Sequence, residues 1–84
     1  MTSHPNRGWR SRWVVDRAKL EARHSPSGLV VRFRRARDVP AWDGEATNGE
    51  TVGAALIARH GQRAAVRILA RLMREAGDIF DAPG

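Results

Sequence analysis

Cysteine, tyrosine and long apolar runs are missing from this chain. The 84 residues include no cysteine and no tyrosine, and only one lysine. The absence of cysteine excludes disulfides and thiolate metal sites. No run approaches the roughly 18 apolar residues of a membrane-spanning helix, and residues 1–12 lack the apolar stretch of a secretory signal. We therefore expect a cytoplasmic protein without a membrane partner.

Patterns that carry catalysis or bind cofactors are missing as well. His4, His24 and His60 lie far apart, without the spacing of a metal-binding or catalytic motif. Gly49 and Gly53 have neither the spacing of a phosphate-binding loop nor a lysine after them. We predict no catalytic residues, no metal site and no cofactor, so an enzyme is not expected.

The chain is short and strongly basic. Its length allows one domain, residues 1–84, with a core so small that a partner surface or a homodimer would help to stabilise it. The net charge is +6, and 14 of the 15 basic residues are arginine. Arginine binds phosphate and carboxylate groups bidentately, which favours nucleic acid or an acidic protein surface as partner. A GC-rich genome would produce the same excess of arginine without a functional reason.

Residues 1–12 are predicted to be a basic arm, because Pro5 and Gly8 interrupt any regular pattern. Trp9 and Trp13 flank arginines, and aromatic side chains placed among basic residues can stack on nucleic-acid bases. Packing of these tryptophans against the domain is the other interpretation, and the one that we favour.

An antiparallel hairpin is predicted for residues 13–37, with its turn at residues 25–28. Pairing the two strands across this turn places their apolar residues on one face in a single register. Residues 9–15 could extend the hairpin to three strands. Residues 16–23 taken alone favour a helix, and the shared register is the reason for preferring strands. The apolar pairs are His24 with Leu29, Ala22 with Val31, and Leu20 with Phe33.

The outer face of this hairpin is predicted to be cationic. Arg32 and Arg34 point outward in the predicted register, and Arg35 follows them. Residues 1–37 contain ten basic and two acidic residues, a net charge of +8. Arg32, Arg34 and Arg35 are therefore candidate contacts to nucleic acid or to an acidic partner.

Residues 38–51 reverse the sign of the charge and are predicted to be an acidic loop. They contain four acidic residues and no basic residue. Pro40, Gly44 and Gly49 are typical of loops. The acidic residues could offset the basic strands within the fold. Trp42 either covers the open side of the sheet, which we favour, or contacts a partner.

Two helices are predicted for residues 52–80, and the first ends at Gly61. Asn48 or Thr51 is expected to cap the first helix. The second is expected to run from Gln62 to about Ala76.

The second helix has two distinct faces, and Gly77 is its expected C-cap. The arginines Arg63, Arg67, Arg71 and Arg74 lie on one face, within an arc of about 80°. The opposite, apolar face predicts a core element. Its residues are Ala65, Ile68, Leu69, Leu72, Met73, Ala76 and Phe80.

The predicted fold class is α+β, with an antiparallel hairpin, or three strands, followed by two C-terminal helices. The leading functional hypothesis is a non-catalytic nucleic-acid-binding or nucleoprotein-associated regulator. It depends on the basic first segment and on the arginine face of the second helix, where few carboxylates lie close by. The candidate contacts are Arg32, Arg34, Arg35, Arg63, Arg67 and Arg71.

The alternative hypothesis is a protein-binding inhibitor or adaptor of the phage or mobile-element type, which blocks a host complex such as a defence system. The mixed charges and the lack of a nucleic-acid-binding motif favour this hypothesis. The same arginines would then meet carboxylates, and Trp9, Trp13 or Trp42 would be a buried anchor in the interface.

Overall fold

The protein has an α+β fold, in which a four-stranded antiparallel sheet is followed by two C-terminal helices. The computed structural model describes residues 5–35 and 42–81. The predicted fold class is confirmed, with four strands where two or three were predicted. The elements are α1 (Pro5–Arg10), β1 (Trp13–Asp16), β2 (Glu21–His24), β3 (Val30–Arg35), β4 (Trp42–Ala46), α2 (Gly49–His60) and α3 (Gln62–Asp81).

The strands follow the order β1-β2-β3-β4, and each is antiparallel to its neighbour. The predicted register between β2 and β3 is confirmed, because Ala22 pairs with Val31. The backbone N–H of Phe33 also donates to the carbonyl of Leu20 at 2.8 Å. Alternation of apolar and polar residues is sufficient to set this register, since a shift by one residue would turn the apolar side chains outward.

The segment from 12 to 24 is not one continuous strand, as the hairpin prediction assumed. It forms β1, a turn at residues 17–20, and β2. Asp16 Oδ1 accepts the backbone N–H of Lys19 at 3.0 Å, and Leu20 adopts a left-handed φ of 56°. An aspartate that bonds to the backbone a few residues ahead favours such a turn. Of the third strand proposed for residues 9–15, only the part from Trp13 is present, as β1, because residues 9 and 10 belong to α1.

The prediction of a loop throughout residues 38–51 was wrong, because residues 42–46 form the edge strand β4. The sequence of β4 contains a glycine and two acidic residues, which are depleted in strands, so local propensity did not indicate it. Pairing with β3 supplies its backbone hydrogen bonds and places Gly44 opposite Phe33. Residues 36–41, which include Pro40, lie outside the described part of the chain.

The N-terminal arm also contains regular structure, because residues 5–10 form the short helix α1. Pro5 is its first residue, a position where the missing N–H of proline costs no intrahelical hydrogen bond. Residues 1–4 of the predicted arm lie outside the described residues.

The predicted break between the two C-terminal helices is confirmed at Gly61. Its φ is 87°, a left-handed conformation that favours glycine, and its N–H donates to the carbonyl of Ile57 at 2.8 Å. The expected C-cap at Gly77 was wrong, since α3 continues to Asp81.

The C-terminal end of α3 is held by contacts that lie far away in the sequence. Phe80 is buried, and its ring stacks on Phe33 with the ring centroids 4.1 Å apart. The guanidinium of Arg17 donates to the carbonyls of Phe80 and Ile79 at 3.2 and 3.3 Å. These bonds satisfy carbonyls that a helix end leaves free, so the last turn forms despite Gly77.

Helix α3 packs on one face of the sheet, and α2 packs mainly on α3. The core lies between this face and the helices, and α2 contributes Val52 to it. The other face of the sheet carries mostly charged residues and is open to solvent. The buried apolar side chains are Trp13, Ala22, Leu29, Val31, Phe33, Val52, Ala65, Leu72, Ala76 and Phe80.

Asn48 connects the start of α2 to the start of β3. It occupies the N-cap position, as predicted, but its side chain does not cap the helix. Its Oδ1 accepts the N–H of Val30 at 2.9 Å, and its Nδ2 donates to the carbonyl of Gly28 at 2.8 Å. The residue therefore fixes the helix entry against the sheet.

Two glycine substitutions are expected to change stability in opposite directions. A Cβ on Gly44 would lie 2.8 Å from Cε1 of Phe33 and 3.1 Å from Cγ1 of Val31, whereas a Cβ on Gly77 meets nothing within 4 Å. We expect Gly44→Ala to lower the free energy of unfolding by about 1–3 kcal/mol, because the stacked Phe33 ring cannot move away. Gly77→Ala should raise it by about 0.5–1 kcal/mol. Equilibrium unfolding in urea measures both, and a neutral Gly44→Ala would contradict the close packing.

Candidate binding surfaces

The outer face of the sheet carries both charge signs, which corrects the prediction of a cationic face. Strand β4 places Glu45 opposite Arg32 and Asp43 opposite Arg34. Nη2 of Arg32 also lies 3.5 Å from Oε2 of Glu21. A shallow depression of about 400 Å³ in this region is lined by arginines and carboxylates together. Positive charge is therefore locally offset on this face.

Arg35 and Trp42 form a stacked pair at the edge of the sheet, with the guanidinium 5.0 Å from the ring centroid. The Trp42 ring meets Phe80 edge-on at 5.1 Å, so this tryptophan covers the end of the core. The structure therefore places Trp42 where the covering interpretation expected it.

The other two tryptophans differ in their exposure. Trp13 is buried, and its Nε1 donates to Oε1 of Glu75 at 2.9 Å. Trp9 is half-buried, packs against the core, and carries the guanidinium of Arg10 4.6 Å from its ring centroid. All three tryptophans thus contribute to packing, as the favoured interpretation expected.

The arginine face of α3 is exposed along its length. All four of its arginines are exposed: Arg63, Arg67, Arg71 and Arg74. Nε of Arg71 lies 3.8 Å from Oε2 of Glu75. Within residues 5–35 and 42–81, no carboxylate lies within ion-pair distance of the other three. Val66, next to Arg67, is 60% exposed. We call the four arginines the arginine stripe.

Charge is segregated along α3. The arginine stripe occupies its first two thirds, and the acidic residues Glu75, Asp78 and Asp81 occupy its last third. Positive charge near the positive N-terminal end of the helix dipole, and negative charge near its negative C-terminal end, are destabilising, at a cost of about 0.3–1 kcal/mol for a charge in the end turns. The arrangement is therefore not explained by the stability of the helix.

A groove of about 480 Å³ lies between α2, α3 and the turn that joins β2 to β3. Its apolar part is formed by Val52, Ala55, Leu56, Ile68 and Leu72. Arg12, Arg59 and Arg71 line it as well, together with His24 and His60, and within residues 5–35 and 42–81 no acidic residue lines it. We call this feature the cationic groove.

His24 lies at the inner wall of the cationic groove and is 8% exposed. Its ring packs on Trp13 at a centroid distance of 4.9 Å, and its Nδ1 is 2.8 Å from Oγ of Ser27. Burial lowers the pKa of His24 below 6.5, because it disfavours the charged ring. Glu75 acts in the opposite direction, and Arg12 and Arg71 lower the pKa further.

The cationic groove could not be predicted from the sequence, because Arg12 and Arg59 lie far apart in the chain. A partial signal exists, since Val52, Leu56 and Arg59 lie at helical spacing on one side of α2. The arginine stripe, in contrast, follows directly from the periodicity of one helix.

Comparison with known proteins gives no match to any family model, curated protein or solved structure. None of the described helices is both long and apolar enough to cross a membrane. The described residues also contain no group of three or more histidines and carboxylates that could hold a metal ion.

The lowered pKa of His24 predicts a loss of stability in mild acid. The unfolded chain binds a proton near pH 6.5, whereas the folded protein binds it only at lower pH, so the free energy of unfolding should fall as the pH drops below about 6.5. His24→Gln should remove this part of the pH dependence. Urea unfolding at several pH values measures the difference, and identical pH profiles for the two proteins would contradict it.

Proposed function

We propose that the protein is a non-catalytic, cytoplasmic regulator that binds nucleic acid through the arginine stripe of α3. The observation that supports this most is the exposure of four arginines on one helix face, with only Arg71 paired to a carboxylate among the described residues. Arginine is well suited to phosphate, since its planar guanidinium donates two parallel hydrogen bonds.

The spacing of the stripe suits a polyanion. Successive arginines from Arg63 to Arg71 are four residues apart, which is about 6 Å along the helix axis. The whole stripe covers about 16 Å, a length over which duplex DNA carries several phosphates. Like charges at this spacing repel one another by a few tenths of a kcal/mol per pair, so binding to an anion relieves an existing cost.

The sheet arginines contribute less to this proposal than the sequence suggested. Arg32 and Arg34 face carboxylates across the sheet, and Arg35 is stacked on Trp42. We therefore assign the principal nucleic-acid contacts to Arg63, Arg67 and Arg71. Arg74, which lies on the same helix face, is a fourth contact.

A protein partner is the second candidate, and exposed apolar side chains favour it. Val66 is 60% exposed and Ile57 is 45% exposed, both on the helical side of the molecule. Interfaces combine arginines with apolar anchors, and an acidic protein surface would meet the same stripe. An inhibitor or adaptor would use this combination.

Salt dependence tests the nucleic-acid proposal. Binding of a labelled duplex, followed by fluorescence anisotropy, should weaken with log K falling linearly in log salt. The triple variant R63Q/R67Q/R74Q should reduce the magnitude of that slope by about 2–3, because each lost phosphate contact removes about 0.9. The matched control R23Q/R32Q/R34Q removes the same charge from the sheet and should leave the slope nearly unchanged.

Two outcomes would contradict the proposal. One is undetectable binding at low salt, and the other is an equal effect of the two triple variants, which would indicate attraction to net charge alone. The protein partner would instead be supported by affinity capture from the native cells. A stoichiometric protein should then stay bound after nuclease treatment, and it should be lost with the Val66→Asp variant.

A further inference from the structure

The cationic groove is separate from most of the arginine stripe and has a different composition. Its walls come from α2, α3 and the β2–β3 turn, and it shares only Arg71 with the stripe. Leu72 and Val52 are buried at its base, and Leu56 and Ile68 are half-buried. An apolar surface at the base of a concave site is typical of sites for small organic molecules.

The charges of the groove favour an anion. Arg12, Arg59 and Arg71 are exposed and converge on it, and no carboxylate of the described residues lines it. Glu75 lies next to Arg71, but it also accepts the hydrogen bond from Trp13 Nε1. Several guanidinium groups beside an apolar base match a molecule with one charged end and one apolar end.

His24 adds a polar ring to the inner wall. Its Nδ1 lies 2.8 Å from Oγ of Ser27, which also accepts the backbone N–H of Leu29 at 3.2 Å. In the tautomer in which the Ser27 hydroxyl donates to Nδ1, the ring proton lies on Nε2 and can be donated to a ligand. Nε2 has no partner among the described residues and is not a buried unsatisfied atom, so it is accessible from the groove that His24 lines.

The size and lining of the groove favour a small molecule over a macromolecule. Its volume of about 480 Å³ is within the range of small-molecule sites, roughly 300–1,000 Å³. Among the described residues, no tryptophan or phenylalanine lines the groove as a platform for a nucleobase, since Trp13 behind His24 is 6% exposed and the exposed ring in the lining is that of His60.

We propose that the cationic groove binds a small amphiphilic organic anion, with its apolar body on Val52, Leu56 and Ile68 and its carboxylate, sulfonate or phosphate group at Arg12 and Arg59. The donor on His24 orients the anionic group at the inner end. Its anion contacts are distinct from those of the stripe, because Arg12 and Arg59 do not belong to the stripe and the two surfaces share only Arg71.

The test uses a matched pair of fluorescent probes with the complete chain. One probe is 8-anilinonaphthalene-1-sulfonate, and the other is N-phenyl-1-naphthylamine, which has the same rings without the sulfonate. The sulfonate should bind about tenfold or more tightly than the neutral amine, as expected for charge-assisted hydrogen bonds. Binding should also raise the midpoint of thermal unfolding, since a ligand of the folded state stabilises it.

Matched variants locate the site. R12Q/R59Q should weaken sulfonate binding about tenfold or more and leave the neutral amine unchanged, whereas R63Q/R67Q, with the same change of net charge, should leave both within about twofold. All four residues are exposed, so circular dichroism should show that both variants remain folded. Equal affinities for the two probes, or equal effects of the two variants, would overturn the proposal.

Competition distinguishes the source of the anion. Dodecanoate should displace the sulfonate probe, and dodecanol should not. Displacement by a duplex oligonucleotide at the concentration that saturates the stripe would overturn the proposal, because the groove would then belong to the nucleic-acid surface. Displacement by a peptide of alternating glutamate and leucine, at lower concentration than dodecanoate, would also overturn it in favour of a protein-docking site.

Discussion

The stacking of Phe80 on Phe33 determines how helix α3 lies on the sheet. Trp42 packs edge-on against Phe80, and the guanidinium of Arg17 lies 5.0 Å from the same ring. Burial of one phenylalanine side chain contributes about 1.5–3 kcal/mol, and a well-placed aromatic pair adds about 0.5–1.5 kcal/mol. Gly44 leaves the space that Phe33 needs. With its C-terminal end fixed in this way, α3 faces the core with its apolar side and presents the arginine stripe to solvent.

Sequence periodicity was sufficient for the parts of the fold that depend on one element or on two neighbouring elements. The β2–β3 register followed from alternating apolar residues, and the break at Gly61 followed from the preference of glycine for helix ends. The arginine stripe followed from the repeat of one helix. In each case the residues that decide the structure lie close together in the sequence.

Contacts between distant segments decided the parts that sequence reasoning missed. β4 has a poor strand composition and forms because β3 offers a free edge. The last turn of α3 forms despite Gly77 because Arg17 and Phe33 hold Phe80. The charge balance of the sheet depends on β4, and the cationic groove depends on the fold placing Arg12 and Arg59 in the lining of one groove. No local pattern records these long-range pairings, although the acidic residues between 38 and 51 indicate that the charge of the basic strands could be offset within the fold.

The segregation of charge along α3 has a consequence for the approach of the protein to a charged partner. The arginine stripe lies toward the end of α3 that already carries the positive pole of the helix dipole, and the acidic residues lie toward the negative pole. The side-chain charges therefore add to the dipole of the helix backbone. The helix therefore contributes a large permanent dipole moment to a molecule that already has a net positive charge. A field from a polyanion exerts a torque on such a dipole and turns the start of α3 toward the anion before contact. Fewer of the random encounters then occur in the wrong orientation.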